Sequence, residues 1–331
     1  MSLLCVFLVS AVVSVMLVPQ TIRISNRFRI FKPLKDSVKG KPCVGGLGIY
    51  FAFLAGVLIA LFFGRVDGFK LSGIVAASTL VLALGLIDDI NDLRPSLKIL
   101  GELLGACILI FFGMVTKIAF FPGWLNIVIT MAWVLFITNA FNLLDIMDGL
   151  MSGLTVIISL TLLVVSVVNK DSFSSIVLVA LLAAHLGFLR YNYPPAKVYM
   201  GDTGSLFSGF LLAVISINIS YAPMERKMAL LTPVLAMSLP LYDTLFLIIM
   251  RAKKKRPIFK KTKDHFALRL MTMGHSVQKS IWVMYIFSVF LGGLAIITAF
   301  SGNLIGAAAL AIAVFVFIAM GRKVGMVRVE D

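Results

Sequence analysis

Charge is scarce in this chain: 14% of its 331 residues are Asp, Glu, Lys or Arg, where about 25% is usual for a soluble domain. Acid is scarcer still, with 15 Asp+Glu against 30 Lys+Arg, and there are only three histidines and three cysteines. Cys5 and Cys107 lie inside apolar runs and Cys43 in a basic loop, a distribution that excludes a disulfide-stapled scaffold and a cysteine zinc site. What fills the chain instead is apolar: 60% of the residues, with a mean hydropathy of +1.04. That composition excludes a disordered segment and an ordinary soluble enzyme, and it points to a membrane protein.

A formal net charge of +15 would raise nucleic acid as a partner in a soluble protein. Here the simpler cause is topology, because cytosolic loops of polytopic proteins are enriched in Lys and Arg. Eleven stretches are apolar enough to cross a bilayer, at 3–18, 45–63, 71–87, 99–114, 125–141, 150–168, 175–189, 205–221, 228–250, 281–300 and 304–320. The expected fold is therefore all-α, a single polytopic membrane domain over 1–331. The first stretch has no basic segment before it and no small-residue cleavage pattern after it, so it reads as a retained span. Counting alternate loops places twenty-four of the thirty basic residues on one face and six on the other. The positive-inside rule then puts the N-terminus outside and the C-terminus in the cytosol.

The carboxylates divide the same way, although that rule does not require it. Asp88, Asp89, Asp92, Asp145, Asp148, Asp202 and Asp264 border the basic face, while the other face carries Asp67, Asp171 and Glu225. This placement predicts one cytosolic site assembled from loops 19–44, 88–98, 142–149, 190–204 and 251–279.

Each loop has its own chemistry. Asp88 and Asp89 repel as neighbours and call for a divalent cation, a shared proton or a basic partner such as Lys98. Asn142, Asp145 and Asp148, spaced i, i+3, i+6 in apolar surroundings, would stack oxygen ligands along one side of a continuing helix. Gly201-Asp202-Thr203-Gly204-Ser205 opens the eighth stretch, where helix N-terminal amides could hold a phosphate. Pro42, Gly45 and Gly46, with Lys39 and Lys41 before them, allow close backbone approach beside positive charge. His265 and Arg269, at i, i+4 beyond a basic cluster, could face one substrate together. Asp243 is an intramembrane carboxylate with Arg251 eight residues on, and Glu102 has Lys98 one turn before it as an i, i+4 partner.

Together Pro42–Gly46, Gly85–Asp89 with Asp92, Leu93 and Lys98, Asn142–Leu150, and Asn192–Ser205 resemble the polyprenyl-phosphate N-acetylhexosamine-1-phosphate transferase family, the MraY- and WecA-like glycosyltransferase family 4. The resemblance implies Mg²⁺-dependent transfer, with Mn²⁺ as a substitute. A sugar 1-phosphate passes from a UDP-sugar to a polyprenyl phosphate such as undecaprenyl phosphate, releasing UMP in the first membrane step of cell-envelope glycan synthesis. It also implies a bacterial inner membrane location, a site facing the cytosol, and compatibility with a homodimer. On matching positions, Asp88 and Asp89 would be the catalytic pair and Asp202 and Asn142 the metal residues. Lys39 and Lys98 would meet phosphates, with Asp145, Asp148, Asn192, Lys197, His265 and Arg269 completing the substrate-binding set. Many members carry a histidine-rich cluster in the last loop, whereas here only His265 remains, which bears on donor identity more than on reaction type. A cation-coupled transporter is the main alternative class, and a lipid-binding or lipid-flipping protein a third. Transporter sites usually lie near the midplane between repeats, whereas these polar groups gather at one edge.

Overall fold

The computed structural model describes residues 2–28, 42–64, 66–221, 225–253 and 264–327. Residues 29–41, half of loop 19–44 and including Lys39, and residues 254–263 lie outside them. All eleven apolar stretches fold as helix, as a bilayer requires of backbone groups that cannot bond to water. Among the described residues no strand forms, and one isolated bridge joins Cys43 to Tyr199. Among the described residues, eight helices are long and apolar enough to cross a membrane, or nine if one bent pair is a single span. The chain divides into two compact units, 1–220 and 221–331.

The first unit holds α1 (Ser2–Phe28), α2 (Gly45–Phe62), α3 (Gly68–Ile90), α4 (Pro95–Phe111), α5 (Gly123–Leu144), α6 (Leu150–Val168), α7 (Ser172–Asn192) and α8 (Gly201–Asn218). Helix α8 is its axis: Thr203 through Ser216 are all buried, the pattern of a helix packed on every side. Small residues let its neighbours come close. A Cβ on Gly209 would meet Phe141 and Thr138 of α5, and one on Gly85 of α3 would meet the backbone of Asp202 and Thr203. Helix α1 is peripheral: Leu4, Leu8, Val12 and Met16 form an exposed stripe, while Ser14 on the inner face donates to the Ala184 carbonyl at 2.7 Å.

In the second unit the stretch read as one span over 228–250 is broken. A 3-10 turn (Lys227–Leu231) and α9 (Thr232–Ala236) meet α10 (Ser238–Lys253) at a bend of 70°. Pro233 and Pro240 flank the bend, and proline removes a helical donor and crowds the preceding turn. Helices α11 (Phe266–Thr272), α12 (Val277–Phe300) and α13 (Asn303–Gly325) complete the unit.

Candidate active site

The site is organised around the first turn of α8. Gly201 has φ +71°, and a Cβ there would lie 2.5 Å from Asp89, so glycine is required both by conformation and by space. Asp89 uses that space to cap the helix from α3. One of its oxygens accepts the Asp202 N–H at 2.9 Å, and the other accepts the Thr203 N–H at 2.9 Å and the Thr203 hydroxyl at 2.6 Å. The amides expected to hold a phosphate therefore hold Asp89, as an N-terminal carboxylate should.

Asp88, one residue earlier, points elsewhere. Its Oδ1 accepts the Leu93 N–H at 2.7 Å, and its Oδ2 lies 2.5 Å from the Lys98 ammonium. Lys98 sits before the apolar run of α4 and is equally 2.5 Å from Asp202 Oδ2. Its expected partner Glu102 is taken by Asn139 of α5, at 2.5 Å. The predicted i, i+4 pair is thus corrected: two carboxylates outweigh one, and the long-range pairing wins. Asn142 donates to Ser205 at 2.9 Å and also hydrogen-bonds Asp202.

Asp88, Lys98, Asn142 and Asp202 are therefore brought together from α3, α4, α5 and α8. No group of three His, Cys, Asp or Glu side chains among the described residues forms a ready metal cage. A hard cation such as Mg²⁺ needs less, because one or two carboxylates plus substrate phosphates usually suffice. The Asp88 and Asp202 carboxylates, within hydrogen-bond reach of each other, with the Asn142 amide beside them, are a donor set of that kind.

The expected ligand stack over 142–148 does not form, because α5 ends at Leu144 and Asp145 is its C-cap. The chain then leaves the helix and passes Gly149 at φ +77°. Asp148 accepts the Ala196 N–H at 2.8 Å. Asn192 is buried, accepting from Gly149 N–H and Ser152 and donating to the Val198 carbonyl. It fastens the start of α6 to the segment before α8. Lys197 is exposed.

Asp145 differs from these, since none of the described residues hydrogen-bonds its carboxylate. Burial first, then Asp202, Asp89 and Asp148, push its pKa up to about 7. Cys43, at the entry to α2, records the same field: burial and then Asp89, Asp145 and Asp202 push its thiol up to about 12. A cluster this negative suits a cation. Because the folded pKa of Asp145 lies above the unfolded one, its contribution is complete below the unfolded value and is lost as pH rises through about 7. The melting temperature of metal-free protein should therefore fall between about pH 4 and 7, with a shallower fall in Asp145→Asn. Equal slopes in the two proteins would show that Asp145 does not carry this effect.

His265 and Arg269 belong to the second unit and are engaged within it. His265 Nδ1 lies 2.8 Å from Asp243, whose other oxygen accepts the Phe266 N–H at 2.7 Å. This is the partner of the intramembrane carboxylate, in place of the expected stack with Arg251. Arg269 is fully buried, donating to Asp264 at 2.7 Å and to the Val324 and Val327 carbonyls at the end of α13. Thr203, Ser205 and Asn139 hold Asp89, Asn142 and Glu102. The sequence places Thr203 and Ser205 within the glycine-flanked motif but assigns their hydroxyls, and the Asn139 amide, no role.

Residues 71–220, which contain Asp88, Lys98, Asn142, Asp145 and Asp202, match the model described as glycosyl transferase family 4. The chain is 32% identical over 293 residues to a probable undecaprenyl-phosphate N-acetylglucosaminyl 1-phosphate transferase of Bacillus subtilis, covering 85% of this chain and 80% of that protein. It is 31% identical over 283 residues to a decaprenyl-phosphate N-acetylglucosaminephosphotransferase of Mycolicibacterium smegmatis, covering 75% and 70%. Identity to a phospho-N-acetylmuramoyl-pentapeptide-transferase of Streptococcus pneumoniae is 36% over 197 residues, covering 54% and 59%. The chain belongs to glycosyl transferase family 4, the polyprenyl-phosphate N-acetylhexosamine-1-phosphate transferases that its motifs resemble.

Proposed function

We propose that the protein transfers an N-acetylhexosamine 1-phosphate from a UDP-sugar to a polyprenyl phosphate, releasing UMP. The donor sugar favoured by the names of the Bacillus and Mycolicibacterium relatives is N-acetylglucosamine. The observation that carries the reading is the meeting of Asp88, Lys98, Asn142 and Asp202 at the ends of four helices. Topology completes it: eleven spans in a bacterial inner membrane, N-terminus outside, C-terminus and site in the cytosol, supported by the lopsided distribution of Lys and Arg.

The reaction joins two anions, so charge neutralisation and in-line positioning matter more than covalent help. A lipid phosphate oxygen attacks the β-phosphorus of the UDP-sugar, a new P–O bond forms, and the bond to the bridging oxygen of the α-phosphate breaks as UMP leaves. Asp88, Asp202 and Asn142 would hold Mg²⁺, which supplies neutralisation of the diphosphate when bound. Lys98 meets phosphate charge, and Asp89 fixes the α8 turn that carries Asp202.

The test is UMP release by purified protein in detergent with polyprenyl phosphate and a panel of UDP-N-acetylhexosamines, with and without EDTA. Release that needs both lipid and Mg²⁺ is expected. Release without lipid, or none with any donor from folded protein, would overturn the reading.

A further inference from the structure

We propose that the Lys98 ammonium and the divalent cation are alternative occupants of one position, so that cation binding expels Lys98 from between Asp88 and Asp202 and frees it for substrate phosphate. The inference rests on the function just given and adds an order of events to it. Lys98 Nζ is 2.5 Å from Asp88 Oδ2 and 2.5 Å from Asp202 Oδ2. Magnesium binds carboxylate oxygens at about 2.0–2.1 Å, so a cation shared by these two oxygens lies close to where the nitrogen now is. Two positive charges cannot share that place in a partly dry site.

Lys98 is built to leave. Glu102, the acidic neighbour one turn along its own helix, is bonded to Asn139, and the hydrogen bonds of the ammonium go to Asp88 and Asp202. Its side chain keeps 21% of its surface accessible, and a lysine is a compact charge on a flexible four-carbon stem. Its departure alone would leave two carboxylates in mutual repulsion, so exchange with an incoming cation keeps the pair neutralised throughout. The consequence is coupling: the lysine becomes available to the phosphates only when the cation is in place.

The experiment uses the full-length protein in detergent and Mn²⁺ as the probe, followed by its paramagnetic resonance signal. Lys98→Met should bind Mn²⁺ about ten-fold more tightly than the unmodified protein, because the competitor is gone. Arg94→Met, an exposed charge lost from the same loop, should change affinity by less than about two-fold, because a solvated charge is screened. In the unmodified protein, mass-spectrometric mapping with an amine-reactive reagent should show Lys98 labelled faster when Mn²⁺ is saturating. Unchanged or weaker Mn²⁺ binding by Lys98→Met, or Lys98 equally protected with and without Mn²⁺, overturns the proposal, and the labelling result stands even if the variant fails to fold. Binding that Asp202→Asn abolishes while Lys98 stays protected defeats this inference alone. No Mn²⁺ binding by any form defeats the metal part of the proposed function with it.

Discussion

Asp88→Asn is expected to lower lipid-dependent UMP release by about a hundred- to a thousand-fold with little change in melting temperature, whereas Asp89→Asn is expected to lower the melting temperature first. The two residues are adjacent and chemically identical, and geometry separates them. At position 88 an asparagine keeps the oxygen that accepts the Leu93 N–H. It loses only the charge facing Lys98, which Asp202 still neutralises. The fold survives, and the cation and phosphate site does not. At position 89 both oxygens are needed, because three donors from Asp202 and Thr203 converge on them. An asparagine offers one acceptor oxygen and turns an NH₂ toward a donor. Losing a charge-assisted cap and leaving a donor unmet costs about 2–4 kcal/mol. In a unit of this size that is a fall of about 5–10 °C. Thermal unfolding in detergent beside the UMP assay reads both effects. An Asp89→Asn protein as stable as the parent but inactive would move Asp89 from holding the helix to doing chemistry.

That distinction could not be read from the sequence, and the reason is physical. Successive residues near a helix end project about 100° apart, so Asp88 and Asp89 face different neighbours, and which neighbours those are depends on residues more than a hundred positions away. What was legible rested on composition and local pattern: the helical membrane architecture, the gathering of carboxylates at several helix ends, and the glycines at the start of α8. Local rules failed where long-range partners outbid them. Lys98 had Glu102 one turn away and chose Asp88 and Asp202 instead. The i, i+3, i+6 spacing of Asn142, Asp145 and Asp148 presupposed a helix that stops at Leu144, and the glycine at 149 was the available hint. Pro233 and Pro240 likewise marked the 70° bend inside a stretch whose hydropathy alone read as one span. That His265 and Arg269, at i, i+4, would face one substrate together was a fair helical expectation. It gave way because Asp243 and Asp264 each claim one of them.

Gly46→Ala is expected to be a severely damaging single methyl group in the first unit. Three backbone hydrogen bonds, each 3.0 Å, join the entry of α2 to the segment leading into α8: Tyr199 N–H to Pro42, Gly45 N–H to Tyr199 and Gly46 N–H to Met200. A Cβ on Gly46 would lie 2.3 Å from the Gly204 nitrogen, 2.6 Å from its Cα and 2.8 Å from the Thr203 carbonyl carbon. Every one of these is backbone, so no rotamer change relieves the clash, and the two segments must part. Asp202 and Thr203 travel with the segment that moves. A displacement of about 1 Å at a reacting centre costs on the order of a hundred-fold in rate, and packing between membrane helices at small residues has no slack to absorb it. Gly48→Ala supplies the contrast two residues later. Its nearest contact is a Val18 methyl at 2.8 Å, with the Val18 backbone no closer than 3.5 Å, so a side-chain adjustment suffices and most activity should remain. Measured side by side for melting temperature and UMP release, Gly46→Ala should lose both and Gly48→Ala largely neither. Near-parental activity in Gly46→Ala would mean that the α2 entry does not position Asp202, and that the α3 cap through Asp89 holds the catalytic turn by itself.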